Sequence, residues 1–460
     1  MNTSDFSSTR LQPDLLGNLA SLGYDTMTPI QARSLPPILE GKDVIAQAKT
    51  GSGKTAAFGL GLLQKLDVKS YRVQSLVLCP TRELADQVAR ELRRLARAVH
   101  NIKILNLCGG IPIGPQIGSL EHGAHIIVGT PGRIEDHLRK KTLDLSHVSL
   151  LVLDEADRML DMGFQQSLDA ILAYVPGRRQ TLLFSATYPD QIRALAERVM
   201  KNPVMVKVDE SHDSASIRQH FYRFELNKHR MTALRLLLLK FRPGSALVFC
   251  NTKLETEEVA DELRSHGLSA IALHGDLEQR ARDQALVRFS NGSASILVAT
   301  DVAARGLDIE DLDAVINYHI ARDPEVHVHR IGRTGRAGKK GMACTLFSDK
   351  ETFRAERLGE YLGQVIETEP LPPYSLLEKP GYKPAMVTLQ IDGGKKQKIR
   401  PGDILGALTG VDGIAGKQVG RIHILDNFSY VAVSRDAARP ALKKLVEGKL
   451  KGRSFRARRI

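Results

Sequence analysis

A glycine-bearing turn between a predicted strand and a predicted helix constrains the fold of this chain more than any other feature. Residues 44–48 form a short apolar run typical of a buried strand, and a helical pattern begins near Ala56. Glycines let backbone N–H groups converge on phosphate oxygens, and the N-terminus of the following helix adds partial positive charge. The pattern predicts an α/β fold with a phosphate-binding loop made of Ala48, Lys49, Thr50, Gly51, Ser52, Gly53, Lys54 and Thr55.

Two side chains of this loop have predicted roles in nucleotide chemistry. We expect Lys54 to hold the β- and γ-phosphates and the Thr55 hydroxyl to help ligate Mg²⁺. A lone Gly-Lys-Thr turn can also be an ordinary surface turn, so a second feature is needed. The apolar run 150–153 supplies it, because it ends in Asp154-Glu155-Ala156-Asp157. Carboxylates at the carboxyl end of a parallel strand suit Mg²⁺. Asp154 would hold the ion, and Glu155 would orient and deprotonate the attacking water.

These two segments together resemble the signature of the DEAD-box RNA helicases. Ala48, which stands where the general phosphate-loop pattern has glycine, is itself usual in that family. The resemblance implies ATP as the substrate and Mg²⁺ as the cofactor. It also implies that Gln31, in Thr28-Pro29-Ile30-Gln31, reads the adenine edge and that Phe6 lies over the base. Taken alone, Gln31 would be a solvated helix residue and Phe6 a core residue.

Alternating strands and amphipathic helices predict the fold class and the domain order. The resemblance and the pattern imply two tandem RecA-like doubly wound parallel-sheet domains followed by a small α+β domain like the RNA-recognition fold. We expect a first domain at 1–208, a polar linker at 209–216, a second domain at 217–366, a proline-rich linker at 367–384 and a basic domain at 385–460. The second domain lacks a phosphate loop of its own. We therefore expect a cleft between the two domains that closes on ATP.

The family resemblance assigns a further set of residues to the sugar-phosphate backbone of RNA. Hydroxyls, helix N-termini and arginine forks suit phosphate and read no base, so binding by this part of the chain should be independent of sequence. Ser185-Ala186-Thr187 resembles the element that links hydrolysis to strand separation. The predicted RNA contacts are Pro80, Thr81, Arg82, Gly110, Thr130, Pro131, Arg133, Thr252, Gln279, Arg282 and Thr300.

The segment 329–336 resembles the arginine fingers of the family. Arg333 and Arg336 would reach the γ-phosphate in trans, although a basic loop on nucleic acid is the alternative. Gly306 and Asp308 are predicted nucleotide contacts, with Asp308 on the ribose. Because the fingers and the phosphate loop lie in different halves, hydrolysis should require closure, and RNA that bridges both halves should stimulate it.

Charge is concentrated at the end of the chain. Residues 385–460 hold 16 lysines and arginines against six acidic residues, a net charge of +10 out of +13 for all 460 residues. This domain resembles that of the bacterial DbpA type of the family, which implies a hairpin of large-subunit (23S) ribosomal RNA as the target during ribosome assembly. Phe428 and Tyr430 would stack on bases, or one would be core. Each of a further set of cations is either a phosphate contact or a solvated surface residue: Lys443, Lys444, Lys449, Lys451, Arg453, Arg456, Arg458 and Arg459.

The four cysteines are far apart and form no C-x-x-C pair, which argues against a zinc module and for a reducing cytoplasm. We expect a monomer whose partner is RNA and which does not bind membranes. The prediction is local, ATP-dependent unwinding of structured RNA. An ATP-gated RNA clamp without unwinding is the alternative, and a DNA translocase of the same superfamily is a third.

Overall fold

The computed structural model of the chain describes residues 5–48, 51–208, 217–304, 309, 311–335 and 341–460. By contacts it divides into two compact units, one of residues 1–211 with 306–308 and one of the remaining residues. Among the described residues, no helix combines the length and the apolar character that a membrane span needs.

The first unit contains a seven-stranded parallel sheet, as the alternating pattern predicts. Its strand order is β3-β4-β2-β5-β6-β1-β7. The strands are β1 Val44–Gln47, β2 Ser75–Leu78, β3 Ile104–Leu107, β4 Ile126–Gly129, β5 Leu150–Asp154, β6 Gln180–Ser185 and β7 Val204–Lys207. The helices are α1 Pro13–Ser21, α2 Pro29–Leu39, α3 Lys54–Gln64, α4 Arg82–Leu95, α5 Gly114–Glu121, α6 Pro131–Arg139, α7 Ala156–Asp161, α8 Gln165–Leu172 and α9 Asp190–Val199.

Both faces of this sheet are apolar and covered. Along β2, Val77 belongs to the core on one face, whereas Leu76 and Leu78 belong to the core on the other. Alternate side chains of a strand point to opposite faces, so a strand that is apolar at every position needs helices on both sides. This arrangement collects the loops that follow the strands at one edge of the sheet.

The second unit begins with another seven-stranded parallel sheet, in the order β10-β11-β9-β12-β13-β8-β14. Its strands are β8 Ile217–Phe224, β9 Ala246–Cys250, β10 Ala270–Leu273, β11 Ile296–Thr300, β12 Ala314–Asn317, β13 Gly341–Ser348 and β14 Thr368–Glu369. Its helices are α10 Arg230–Phe241, α11 Lys253–Ser265, α12 Gln279–Ser290, α13 Asp301–Ala304, α14 Pro324–Ile331 and α15 Thr352–Leu362.

The proline-rich stretch 367–384 differs from the predicted connector. Its β14 pairs in parallel with β8, and Tyr374–Glu378 forms a 3-10 helix. Leu371 and Tyr382 pack against the core of the second sheet. Burial of these apolar side chains stabilises the stretch on the second sheet, so most of it behaves as part of that domain.

The end of the chain forms a four-stranded antiparallel sheet in the order β16-β17-β15-β18, with two helices on one face. The elements are β15 Met386–Ile391, α16 Pro401–Thr409, β16 Val419–Ile424, β17 Ser429–Ser434, α17 Ala438–Glu447 and β18 Ala457–Arg459. This is the predicted β-α-β-β-α-β order. The last strand is shorter than the predicted 453–460, because residues 450–453 form a turn closed by mutual backbone hydrogen bonds between Leu450 and Arg453.

Candidate functional site

The phosphate loop joins β1 to α3, as the sequence predicts. Gly53 precedes the helix with φ +93°, a left-handed conformation that favours glycine. A Cβ atom there would lie 2.5 Å from Nε2 of Gln31, so any other residue would displace the Gln31 amide. The Lys54 ammonium is buried and donates to the carbonyl oxygen of Ala48 at 3.0 Å. Its charge is therefore held over the loop. Lys49 and Thr50 lie outside the described residues.

The predicted adenine-reading side chain is tied to the same loop. The Gln31 amide is buried; its Oε1 accepts from the backbone N–H of Thr28 at 2.9 Å, and its Nε2 donates to the carbonyl oxygen of Gly53 at 3.1 Å. The Thr28 hydroxyl donates to the carbonyl oxygen of Ser52 at 2.8 Å. Each of these two atoms of Gln31 uses only one of its two hydrogen-bonding positions here, so adenine recognition by Gln31 would not require the loss of these internal bonds. Phe6 is buried and packs edge-to-face on Tyr24, with ring centroids 6.1 Å apart.

Two carboxylates follow β5, where they were predicted. Asp154 is 3% exposed, and its Oδ1 has no hydrogen-bond partner among the described residues. Burial raises the pKa of Asp154 to about 7, with Glu155 adding to the effect and Lys54 opposing it. A buried, unsatisfied carboxylate oxygen needs a cation or a donor. Oxygen ligands suit Mg²⁺, so Asp154 and the half-buried Thr55 fit that ion.

Glu155 has a partner that the sequence analysis missed. Its backbone is left-handed at φ 51°, and its Oε2 accepts from Nη1 of Arg158 at 2.7 Å. Both side chains are under a tenth exposed. The i, i+3 spacing on α7 was a possible signal, although spacing alone does not show that both side chains turn inward. The ion pair fixes the orientation of the predicted water-activating carboxylate.

The last residue of the Asp-Glu-Ala-Asp segment contacts the end of the neighbouring strand. Oδ2 of Asp157 accepts from the backbone N–H groups of Ala186 and Thr187 at 3.2 and 3.0 Å and from the Thr187 hydroxyl at 3.0 Å. Burial acts against ionisation, but Arg158, Lys54 and these bonds keep the pKa of Asp157 below its ordinary value. Hydrogen bonds therefore connect the Asp-Glu-Ala-Asp segment after β5 with residues 186 and 187 after β6.

The predicted RNA-binding residues of the first unit follow β2, β3 and β4, which are neighbours in the sheet. Thr81 caps α4 by accepting from the N–H of Leu84 at 3.3 Å, and Pro131 opens α6. Thr130 precedes α6, and Pro80 is buried after β2. Gly110 has φ 73°, and a Cβ atom there would lie 1.6 Å from the Arg82 guanidinium. These groups lie at one edge of the sheet.

Arg133, a predicted phosphate contact, makes internal hydrogen bonds at the start of α6. Its guanidinium is about 10% exposed and donates to Oε1 of Gln116 and to the carbonyl oxygen of Ile111, both at 2.9 Å. These bonds support the loop before α5. Its assignment to RNA stays a prediction, and phosphate would have to compete with these internal acceptors.

The second unit repeats this arrangement at the carboxyl edge of its sheet. Thr252 caps α11 by accepting from the N–H of Glu255 at 3.2 Å, and Thr300 accepts from the N–H of Ala303 at 3.3 Å. Gln279 is the first residue of α12 and donates to Asp283 at 2.8 Å. Arg282 donates to the carbonyl oxygen of Ala303 at 3.3 Å. The preceding strands β9, β11 and β10 are adjacent.

The predicted arginine-finger segment is anchored by a residue that the sequence analysis did not single out. Arg330 forms a bidentate pair with Asp301, with both N–O distances 2.7 Å, and donates to the carbonyl oxygen of His319 at 2.9 Å. Arg333 follows α14 and is 5% exposed. Arg336, Gly306 and Asp308 lie outside the described residues, so their predicted roles have no structural description.

Most of the predicted phosphate contacts in the last domain are exposed, and two of them make internal bonds. Lys444 donates to the carbonyl oxygen of Val411, and Lys451 lies 3.2 Å from Asp403. Those two bonds stabilise loops of the domain. The exposed ones are Lys443, Lys449, Lys451, Arg453, Arg456, Arg458 and Arg459, and four of them that lie outside β18, Lys443, Lys449, Arg453 and Arg456, have side chains with no internal bond described above.

The helix-free face of the last sheet is covered, which favours the core alternative for Tyr430. Thr388 Oγ1 lies 3.1 Å from Asn291 Nδ2 and 2.6 Å from Ser293 Oγ, both in the turn after α12. Tyr430 is 1% exposed on the same face, so it cannot stack on a base in this arrangement. Arg280 lies over the Phe428 ring at 4.3 Å. The alternation of polar residues along β15 does not predict this contact, because the same pattern also fits a face exposed to solvent.

Comparison with known proteins agrees with this geometry. Residues 28–195 match the DEAD/DEAH box helicase family, residues 229–338 the helicase conserved C-terminal domain and residues 388–459 the DbpA RNA binding domain. The chain is 54% identical to the ATP-dependent RNA helicase DbpA of Escherichia coli (strain K12) over 97% of both chains. It is 48% identical to the DEAD-box ATP-dependent RNA helicase CshA of Geobacillus kaustophilus, over 75% of this chain and 74% of the relative.

A solved structure with the same fold extends the comparison. The structure of S. cerevisiae Dbp5 bound to RNA and ADP BeF3 aligns with a TM-score of 0.72 at 32% identity, over 80% of this chain and 96% of that chain. The resemblance predicted from the phosphate loop and the Asp-Glu-Ala-Asp segment is confirmed. The chain belongs to the DbpA-type DEAD-box ATP-dependent RNA helicases, which are RNA-stimulated ATPases that use ATP with Mg²⁺.

Proposed function

We propose that this helicase locally unwinds structured large-subunit (23S) ribosomal RNA during ribosome assembly and that its C-terminal domain selects the target. The observation that carries the proposal is the charge of residues 385–460, a net +10 on a domain that matches the DbpA RNA binding domain. The two parallel-sheet domains present helix N-termini and hydroxyls, which suit any RNA backbone. Preference for one RNA must then come from the terminal domain. We also propose that the protein is a monomer and that it works in the cytoplasm.

In the proposed reaction, side chains of the first unit bind the nucleotide and activate water. Lys54 neutralises charge on the β- and γ-phosphates, and Glu155 takes the proton of the attacking water. Arg158, by holding Oε2 of Glu155, keeps that carboxylate in one orientation. Mg²⁺ at Asp154 and Thr55, when bound, neutralises phosphate charge. The two arginines Arg333 and Arg336 are proposed to stabilise the transferred γ-phosphoryl group.

The proposed link between hydrolysis and strand separation runs through Asp157. Its hydrogen bonds to residues 186 and 187 connect the nucleotide edge of β5 with the end of β6. A bent single strand suits the predicted RNA-facing loops better than a duplex does. We therefore propose local strand separation without long processive travel, in which RNA favours the closed, hydrolysing state.

The proposed RNA-binding surface of the terminal domain is its exposed basic end. The helix-free sheet face is buried against the turn after α12, whereas the cations on α17 and in the segment after it face solvent. Their number suits a folded RNA hairpin, whose phosphates are closely spaced. Phe428 is half-buried beneath Arg280, so it adds little exposed aromatic surface.

The test is ATPase stimulation by a panel of ribosomal RNA fragments at one fixed salt concentration. We expect one large-subunit fragment to reach half-maximal stimulation at a concentration at least tenfold below that of small-subunit fragments of equal length. Equal stimulation by all fragments would refute the ribosomal target while leaving the RNA-stimulated ATPase intact.

A charge variant locates the source of that preference. Replacing four exposed cations of the terminal domain with glutamine should abolish the preference but preserve maximal stimulation by excess RNA; the four are Lys443, Lys449, Arg453 and Arg456. A variant with four equivalent changes elsewhere should keep the preference. If both variants lose it equally, the terminal domain is not the selector. The matched control replaces exposed residues that were not predicted to bind RNA: Lys69, Arg97, Lys140 and Lys141.

A further inference from the structure

A cavity of about 380 Å³ lies within the second unit, between the second parallel sheet domain and the terminal domain. One wall is the end of α11 and the turn into β10, together with the end of α12. The other wall is the start of β15 and the end of the chain. Its lining includes Arg264, Arg288, Lys383, Arg435 and Arg459, and no Asp or Glu side chain.

The positive charges of the arginines around this cavity are only partly compensated by nearby acceptors. Nε of Arg288 is buried and has no hydrogen-bond partner among the described residues. Burial and the nearby charge of Arg264 lower the pKa of Arg288, and burial and Arg459 do the same for Arg435. Arg264 pairs with Asp261, and Arg435 donates to the carbonyl oxygen of Pro384 at 2.7 Å. Several cations around one space with no Asp or Glu side chain among the lining residues favour an anion there.

The cavity is at the opposite edge of the sheet from the predicted helicase RNA contacts. Leu268 and Ala270 lie at the start of β10, whereas the predicted contacts follow the carboxyl ends of the strands. Helix α12 connects the two places, since Gln279 begins it and Arg288 is near its end. Nine residues of α-helix span about 14 Å, so the two places are close together on this unit. The cavity is thus a separate place within reach of the same strand.

We propose that this cavity is a second, sequence-independent binding site for RNA backbone phosphates, which joins the terminal domain to the second parallel sheet domain. Arg288 contributes from one wall and Arg459 from the other. Because both domains form the cavity, a phosphate bound there stabilises their contact, and their contact in turn strengthens phosphate binding. The proposal concerns RNA of any sequence and does not depend on the ribosomal target.

The first test measures binding of a fluorescein-labelled 20-nucleotide oligouridylate at several KCl concentrations. The proteins are the full-length wild type, Arg288→Gln with Arg459→Gln, and the single control Arg357→Gln, an exposed arginine of α15 outside the cavity. Each phosphate contact on single-stranded RNA contributes about 0.7 to the salt slope, so the double variant should lose about 1 to 1.5. The control should keep its slope.

A second variant and a second readout separate loss of the site from loss of folding. Arg288→Lys keeps the charge, so its salt slope should fall below the wild-type slope by no more than half of the loss seen in the double variant. RNA containing 4-thiouridine should crosslink to peptides of residues 383–387 or 459–460 in the wild type and less in the double variant. An unchanged salt slope in the double variant, or no crosslink to these peptides, overturns the proposal. Tripolyphosphate that binds the cavity without any change in the RNA slope would assign it to a small anion and also overturn the proposal.

Discussion

The carboxylate of Asp157 accepts hydrogen bonds from both the backbone N–H and the hydroxyl of Thr187, each at 3.0 Å. The two residues follow neighbouring parallel strands, β5 and β6. A single buried carboxylate therefore holds the end of one strand to the end of the next, beside the carboxylates predicted to serve ATP hydrolysis.

Asp157→Ala should destabilise the first unit by about 2–4 kcal/mol, because it removes a charged acceptor shared by three donors. Thr187→Val removes only one of those bonds and should cost about 1 kcal/mol. Urea unfolding monitored by circular dichroism measures both. Equal losses in the two variants would show that the hydroxyl bond carries the whole connection.

Lys54→Ala should lower kcat for ATP hydrolysis by at least about 10²-fold, because the phosphate charge loses its nearest cation. A coupled phosphate-release assay at saturating RNA measures the effect. Lys69→Ala, an exposed lysine on the same unit, is the control and should retain full turnover. Normal turnover in the Lys54 variant would remove the phosphate-loop assignment.

Glu155→Gln should bind ATP and RNA but hydrolyse ATP about 10²–10⁴-fold more slowly, since an amide cannot accept the proton of water. The amide oxygen can still accept from Arg158, so the fold should survive better than in Glu155→Ala, which leaves a buried guanidinium unpaired. Single-turnover phosphate release and equilibrium RNA binding separate the two effects. Rapid release by the Gln variant contradicts the water-activating role.

Stability of the second unit should depend on pH through His319. Burial lowers the pKa of His319, but hydrogen bonds to Glu255 and Glu351 outweigh it, and the net pKa is above the ordinary 6.5 despite the nearby Arg230. A raised folded pKa means that the stabilisation is complete below pH 6.5 and is lost as pH rises through the folded pKa.

In the wild type, the urea concentration at the unfolding midpoint should therefore be lower at a pH above the folded pKa of His319 than at pH 6. In His319→Gln this decrease should be smaller. The contribution of Glu351 to stability changes with pH in the opposite direction. Burial opposes its ionisation, but bonds from His319, Ser348 and Arg230 hold its pKa well below 4.5. Its contribution is present above pH 4.5 and is lost in acid. Parallel pH profiles in the two proteins would exclude His319 as the cause.

A double-mutant cycle on Ser293 and Thr388 should show coupling between the last two domains. Their hydroxyl oxygens are 2.6 Å apart and buried, so Ser293→Ala, Thr388→Val and the double variant should give a coupling energy of about 0.5–1.5 kcal/mol in thermal unfolding. Ser265→Ala with Thr388→Val is the control pair, because Ser265 bonds within its own helix. Additive effects for the first pair would mean that the domains do not share this contact.

The sequence by itself determined the local framework of the nucleotide site. Gly53 and Asp154 could be placed because a strand, a glycine-bearing turn and a helix start are encoded over a few residues, and each apolar strand ends where polar residues begin. The order of alternating strands and helices likewise predicted two parallel sheets and the antiparallel domain, since covering both faces of a strand leaves few other folds.

Only the tertiary structure decided what the polar side chains meet. Glu155 pairs with Arg158, Gln31 bonds across to Gly53, and Tyr430 is buried against another domain. Periodicity along a strand shows which face is polar, but a polar face can contact water, RNA or a second protein surface equally well. That choice depends on residues far apart in the chain, such as Ser293 and Thr388, whose proximity results from packing and is absent from any local pattern.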